Sequence, residues 1–332
     1  MRVRDLKPIG VIVVILAFLP AIVRFNNYYV LLLTWILYYS TLVSAWNIIG
    51  GFAGQLDLAA ASYIGLGAYT MGTLMIRYGL TPWIGIPAGG LVAVAFAVLV
   101  GYPTFRFGLR EAWYALATIS SVVVLQKLFL VWESVGGPEE RYLPPYYGSI
   151  YYLRFRGYTP YYYILLATLA LTLILNVKIR RSKMGYYLLA IKENEEAAEI
   201  LGVDVRKYKL KALMTYAFVT GCIGGIFALI SGYLHPHHFG TWTSLQVAIL
   251  GIVGGAGAGA IFSLPVTTFI IYSISEVLRS TLGGWIPGIH LIFYGVILMV
   301  VVLLKPEGLA ETYSELYGRI KGALTKKAGG IV

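Results

Sequence analysis

The sequence has little charge, almost no thiol chemistry and no nucleotide-binding loop. Only 12% of its 332 residues are Asp, Glu, Lys or Arg, against about 25% in average soluble domains. So sparse a charge excludes an ordinary soluble surface. Cys222 is the single cysteine and lies in an apolar run, so no internal disulfide can form. The phosphate-cradling pattern Gly-x4-Gly-Lys-Ser/Thr is absent, so ATP is neither bound nor cleaved by this chain and no enzyme activity is expected. The short alternating segments of a membrane β-barrel are missing too.

What is present is apolar. Hydrophobic residues make up 58% of the chain and the mean hydropathy is +0.75. Ten apolar segments recur, at 9–24, 28–49, 58–76, 83–101, 112–132, 161–177, 210–232, 241–256, 260–282 and 288–304. A run of about 20 apolar residues spans the hydrocarbon core as a helix. The expected fold is therefore all-α, a polytopic transmembrane bundle of about 8–10 helices. Segments 58–76 and 241–256 are short and glycine-rich, and either can be a half-helix. The run after Arg2, Arg4 and Lys7 resembles a signal peptide, but Pro20 and Arg24 replace a cleavage site, so a retained first helix is expected. One transmembrane domain would cover 1–308, with a cytoplasmic tail at 309–332.

The net charge of +11 reflects orientation in a bilayer rather than nucleic-acid binding. Nineteen of the 26 basic residues fall on one side of the expected topology, six on the other, and Lys127 lies near a helix end. Lys and Arg collect on the cytoplasmic side of a membrane. This predicts a multi-pass cell-membrane protein with both termini in the cytoplasm. The loop 133–160, rich in Tyr, Pro and Gly, would then be external. It reads as interfacial belt residues or as a docking surface.

The charge is concentrated in a cytoplasmic island, 178–211, which holds nine basic and five acidic residues. Asn194 is a good N-cap, and Glu195 and Glu196 complement the dipole of the first turn. Gly202 can end the helix in a left-handed conformation. A two-turn helix is predicted from Glu195 to Leu201, with Ala197, Ala198 and Leu201 on one side and Glu195 and Glu199 opposite. Basic flanks would hold it at the anionic lipid surface. By chemistry alone, an ordinary connecting helix fits this stretch as well.

Two glycine-rich breaks interrupt the apolar segments. The first contains Gly50, Gly51 and Gly54, followed at once by Gln55 and Asp57. Each glycine costs a helix about 1 kcal/mol relative to alanine. A carboxylate at mid-membrane costs roughly 2.5–3.5 kcal/mol even on permissive scales. This break should face a bundle interior, a cavity or the inner mouth, as a pathway element would. The second runs from Gly251 to Gly259 and includes Gly254 and Gly255. Its small-xxx-small steps suit plain helix packing as well as a pathway role. The shared glycine texture hints at two related halves.

Other clusters carry less. His235, His237 and His238 flank Pro236 without a carboxylate or thiol beside them, so no metal is expected. Glu111, Lys127 and Glu276 are too scattered to suggest a proton relay. No cofactor is indicated.

Glu196-Ala197-Ala198, with Gly202 four positions after the last alanine, resembles the EAA loop of ABC importer permeases. The stretch from Ala190 through Gly202 to Leu210 is similar to the LivM-type subunit of the branched-chain amino-acid permease family. So are Asn47 to Thr70, Trp113 to Thr118, and Lys305-Pro306-Glu307-Gly308-Leu309. The four matches occur in the family's order. The resemblance implies that Glu196, Ala197, Ala198 and Gly202 form a coupling helix docking on an ATPase. It implies a LivH-like second permease, two ATP-binding subunits and an external solute-binding protein as partners. It implies a branched-chain or other apolar amino acid as cargo, with urea or short amides as an alternative. A stand-alone secondary transporter is the rival of another class. The chain departs from the family with Asp57 where serine is usual, and with Ala60-Ala61 where Gly-His is usual.

Overall fold

The computed structural model describes residues 3–285, 288–305 and 308–310. Most of the C-terminal tail, and Pro306 and Glu307 of the Lys305–Leu309 match, lie outside the described residues.

The chain is an all-α polytopic bundle. Its helices run α1 (Val3–Ile22), α2 (Asn27–Trp46), α3 (Ala60–Tyr78), α4 (Pro82–Arg106), α5 (Glu111–Val131) and α6 (Thr159–Arg180). They continue with α7 (Lys183–Glu193), α8 (Glu195–Ile200), α9 (Val205–Ser231), α10 (Thr241–Val253), α11 (Ser263–Leu282) and α12 (Ile289–Leu304). Each of the ten apolar segments is helical. Among the described residues, five helices are long and apolar enough to cross a membrane: α2 with its extension to Phe52, α4, α5, α6 and α9. Segment 58–76 is no half-helix, since α3 spans 19 residues, whereas α10 stops after 13.

Local chemistry sets the helix ends. Asn26 caps α2 through a 3.0 Å bond from the Tyr28 amide, and Thr81 caps α4 with Pro82 at its first position. Small residues then let the helices close on one another. α3, α4 and α9 form one packed group, and α2 packs along α6 and α11. Gly67 of α3 lies against Gly221 of α9, and Gly89 of α4 lies against Gly67, at backbone contact. α12 is mostly exposed, with Tyr294 its only side chain buried in the chain's own core.

One end of the bundle carries α7, α8 and both glycine breaks. The opposite end carries the 132–158 connection. There β1 (Arg141–Tyr142) pairs antiparallel with β2 (Tyr233–Leu234), an element the all-helical reading did not include. Buried Arg154 pins the connection by donating to the Leu229 carbonyl at 3.1 Å and the Tyr147 hydroxyl at 3.3 Å.

Candidate functional site

The site begins with α8. The Asn194 side chain accepts from the Ala197 amide at 3.0 Å, which caps its first turn. The Val203 amide donates to the Ala198 carbonyl and the Gly202 amide to the Glu199 carbonyl. With Gly202 at φ +83°, this is a Schellman C-cap. The helix ends one residue before the predicted boundary.

The faces differ from the sequence expectation. Ala198 turns inward and packs with Ile191 and Val205, while Ala197 and Glu196 face outward. Ala198 is buried because Ile191 of α7 and Val205 of α9 close over it, while Leu201, one turn on, has no such neighbours. Ile200 and Leu201 are 86% and 82% exposed, so the outward surface presents two apolar side chains beside Glu196 and Glu199. Glu195 is not a free opposite face. Its Oε2 accepts from Lys209 Nζ at 2.7 Å and lies 3.4 Å from Arg110 Nε. Arg110 also reaches Glu196 at 3.4 Å.

Preceding α8 is a helix that sequence reasoning missed. α7 starts on Ser182, which accepts from the Gly185 amide at 3.3 Å. It buries Gly185, Leu188 and Ile191 on one stripe. From its outer side Lys192 reaches the bundle, donating to the Ala256 carbonyl at 3.4 Å. The Lys192 stem also lies across Gly54, with Cγ 2.9 Å from where a Cβ on that glycine would sit. Lys192, Trp46, Gly50, Ile252 and Gly255 line a cavity of about 570 Å³.

Here the two breaks meet. After α2 the chain makes a π-helical turn, Asn47–Phe52, and then runs without regular structure to residue 59. Such π turns are frequent at functional sites. The Trp46 indole lies between Gly50 and Gly251, and a Cβ on either would overlap it. Asn47 binds the second break directly. Its Oδ1 accepts from the Gly257 amide at 2.8 Å, and its Nδ2 donates to Asn176 Oδ1 at 3.0 Å. Gly51 sits in this contact, with no room for a side chain between Asn47 and the Gly257 amide. Gly254 ends α10, and Gly255 turns the chain at φ +76°. The second break is thus a true helix stop whose glycines face the first.

Asp57 is fully buried in the bundle interior. Its Oδ1 accepts from the Ala59 amide at 2.9 Å and its Oδ2 from the Tyr114 hydroxyl at 2.8 Å. The Asp57 carbonyl accepts from Trp46 Nε1 at 2.8 Å. Buried carboxylates persist where hydrogen bonds replace water, and this one staples the irregular segment to the start of α3, to α5 and to Trp46. Gln55 is buried beside it, with its Oε1 unpartnered among the described residues. Ala60 and Ala61 are both fully buried, and the Ala61 amide donates to Ser244 of α10 at 2.9 Å.

The other clusters have local roles. Buried His238 bonds the Tyr233 carbonyl at 3.0 Å, and His235 accepts from the His237 amide. Among the described residues, no three His, Cys, Asp or Glu side chains group to hold a metal. Glu276 pairs with Arg279, and the Glu111 side chain lies outside the described residues.

The residues that join these parts, Trp46, Asn47, Lys192 and Lys209, had no role in the sequence reading. Asn47 lay inside a family-like run and Lys192 inside the island. Their partners are distant in sequence, so no periodicity marks them.

Comparison with known proteins adds the family. The model described as "Branched-chain amino acid transport system / permease component" matches residues 28–302. The chain is similar to the high-affinity branched-chain amino acid transport system permease protein LivM of Escherichia coli (strain K12). The two are 26% identical over 286 residues, covering 79% of this chain and 65% of that protein. LivM of Salmonella typhimurium (strain LT2) gives the same figures, 26%, 79% and 65%. The autoinducer 2 import system permease protein LsrC of Enterobacter sp. (strain 638) is 25% identical over 230 residues, 68% of this chain and 64% of that protein. The chain thus spans about 65% of the length of the LivM relatives it matches. No solved structure matches it. The family match runs through both glycine breaks and the α7–α8 connection, and the chain belongs to the branched-chain amino acid transport system permease component family.

Proposed function

We propose that the chain is a membrane permease subunit of an ABC importer, moved by ATP hydrolysis in partner subunits. The observation that carries this reading is α8: capped at both ends, exposing Ile200 and Leu201, and tied inward through Glu195 to Lys209. Exposed apolar side chains on a small, firmly capped element suit a protein contact better than a solvated loop. Glu196, Ala197 and Gly202 lie on the exposed face, and Ala198 supports it from within.

Two connections would carry a push on α8 into the bundle. Glu195–Lys209 passes it to α9, which packs along α3 and α4. The α7 contact at Lys192 passes it to both breaks, where Trp46, Gly50, Ile252 and Gly255 close around one cavity and Gly54 lies under the Lys192 stem. Motion there would open and shut one end of the pathway. The bias of basic residues supports a cytoplasmic position for this end and for both termini.

The partners in this reading are a LivH-like permease, two ATP-binding subunits and an external solute-binding protein. The cargo is a branched-chain or other apolar amino acid, in line with the names of the two LivM relatives. The test is reconstitution in liposomes. Leucine uptake should require the ATP-binding subunits, the binding protein and ATP. Leucine uptake by this chain alone, driven by an ion gradient, would identify a secondary transporter instead. ATP-driven uptake of urea without leucine would overturn the cargo.

A further inference from the structure

A second cavity, of about 360 Å³, lies between α2, α10, α11 and α12, toward the bundle end opposite α8. That volume falls within the roughly 300–1,000 Å³ of small-molecule sites. Its polar lining is Gln246, Ser275, Glu276, Arg279 and His290. The rest of the wall is aromatic: Trp35, Tyr39, Trp242 and Tyr272.

We infer that this cavity binds a small zwitterion with an apolar side chain, its carboxylate on Arg279 and its ammonium on Glu276. The choice of an apolar side chain rests on the amino-acid reading above. Arg279 Nε donates to Glu276 Oε2 at 3.0 Å, and Arg279 Nη2 donates to Glu276 Oε1. A guanidinium carries five donors, so others stay available to a ligand carboxylate. Each Glu276 oxygen keeps a lone pair for an ammonium. The two charges stand side by side as a preformed dipole, complementary to a ligand carrying both. His290 Nδ1 is buried with no partner among the described residues, which leaves it free to bond a ligand charge. The Tyr39 and Tyr272 rings are tilted at 31° with centroids 4.9 Å apart and offer an aromatic surface to an apolar side chain. The Gln246 amide donates to the Tyr294 hydroxyl at 2.7 Å and so stiffens the α10–α12 wall.

The cavity shares its walls with the breaks. Tyr39 precedes Trp46 by seven residues on α2, and Gln246 precedes Gly254 by eight along α10. At 1.5 Å per residue these are steps of about 10–12 Å. A solute leaving the cavity along α2 and α10 arrives at the Trp46–Gly251 contact.

The test uses the full chain in nanodiscs of phosphatidylglycerol, with saturation-transfer NMR on leucine, 3-methylbutylamine and 4-methylpentanoate. Arg279→Gln should reduce the leucine and 4-methylpentanoate signals at least fivefold and spare 3-methylbutylamine. Glu276→Gln should spare 4-methylpentanoate and reduce the other two. Signals unchanged in both variants would overturn the assignment. A diazirine analogue of leucine, photolysed on the unaltered chain, should label peptides containing Trp35, Tyr39 or Tyr272, and labelling confined elsewhere would overturn it. A zwitterionic lipid headgroup carries the same charges. If added phosphatidylethanolamine abolishes the leucine signal, the site belongs to lipid and the assignment fails. Absence of leucine uptake by the unaltered reconstituted importer would sink the cargo reading, whereas intact uptake with labelling elsewhere would sink this site alone.

Discussion

Lys209 Nζ stands 2.7 Å from Glu195 Oε2, with the lysine side chain 3% exposed and the glutamate 19%. This pair joins the short helix at the bundle end to the second turn of α9. Removing one partner of a buried pair costs about 3–5 kcal/mol, because the other charge is left uncompensated. Glu195→Leu and Lys209→Met should each lower the thermal midpoint markedly. The double variant should recover much of the loss, and a double-mutant cycle read by thermal unfolding checks it.

Trp46 sets the second prediction. Its ring fills the space over Gly50 and Gly251, so Gly251→Val forces overpacking that costs about 1–3 kcal/mol. Trp46→Ala in the Gly251→Val background should recover part of that stability. Stability unaffected by Gly251→Val would show that the indole is not held there.

Asp57 holds two donors at once: the Ala59 amide and the Tyr114 hydroxyl. Asp57→Leu should orphan both and destabilise the fold, at about 1–3 kcal/mol per unsatisfied buried group. Asp57→Asn keeps two polar atoms in place and should cost less. Thermal unfolding of the two variants side by side distinguishes a structural staple from an expendable charge.

His238 adds a dependence on pH. Burial is the main cause that pushes its imidazole down from 6.5 to about 4. The folded chain therefore binds fewer protons than the unfolded one between those values. The stability contributed by the neutral ring is complete above about pH 6.5 and is lost as pH falls toward 4. The thermal midpoint should fall through that window, and His238→Gln should flatten the fall.

The ten apolar helices were legible because hydropathy alone marks an apolar helix, although among the described residues only five reach membrane length. α8 was legible because its caps are local, from Asn194 to Gly202. α7 was not, since its buried stripe of Gly185, Leu188 and Ile191 is thin and lies among charges. The inward turn of Ala198 depends on Ile191 and Val205, outside the two-turn helix. The two breaks were legible as breaks. Their meeting through Asn47 and Gly257 joins positions 210 residues apart, which only packing decides. Asp57 was expected in an interior, a cavity or a mouth, and its full burial against Tyr114 of α5 selects the interior.

The central claim is that α8 receives force from an ATPase through its exposed apolar face. The most direct measurement replaces Ile200 and Leu201 together with aspartate and follows ATP-driven leucine uptake by the reconstituted importer. Both side chains are more than four-fifths exposed, so the variant should fold and keep its thermal midpoint. The account predicts that it loses ATPase association and at least nine-tenths of uptake, a loss of about 1.4 kcal/mol or more in coupling. Full ATP-driven uptake by a stably folded variant would contradict it.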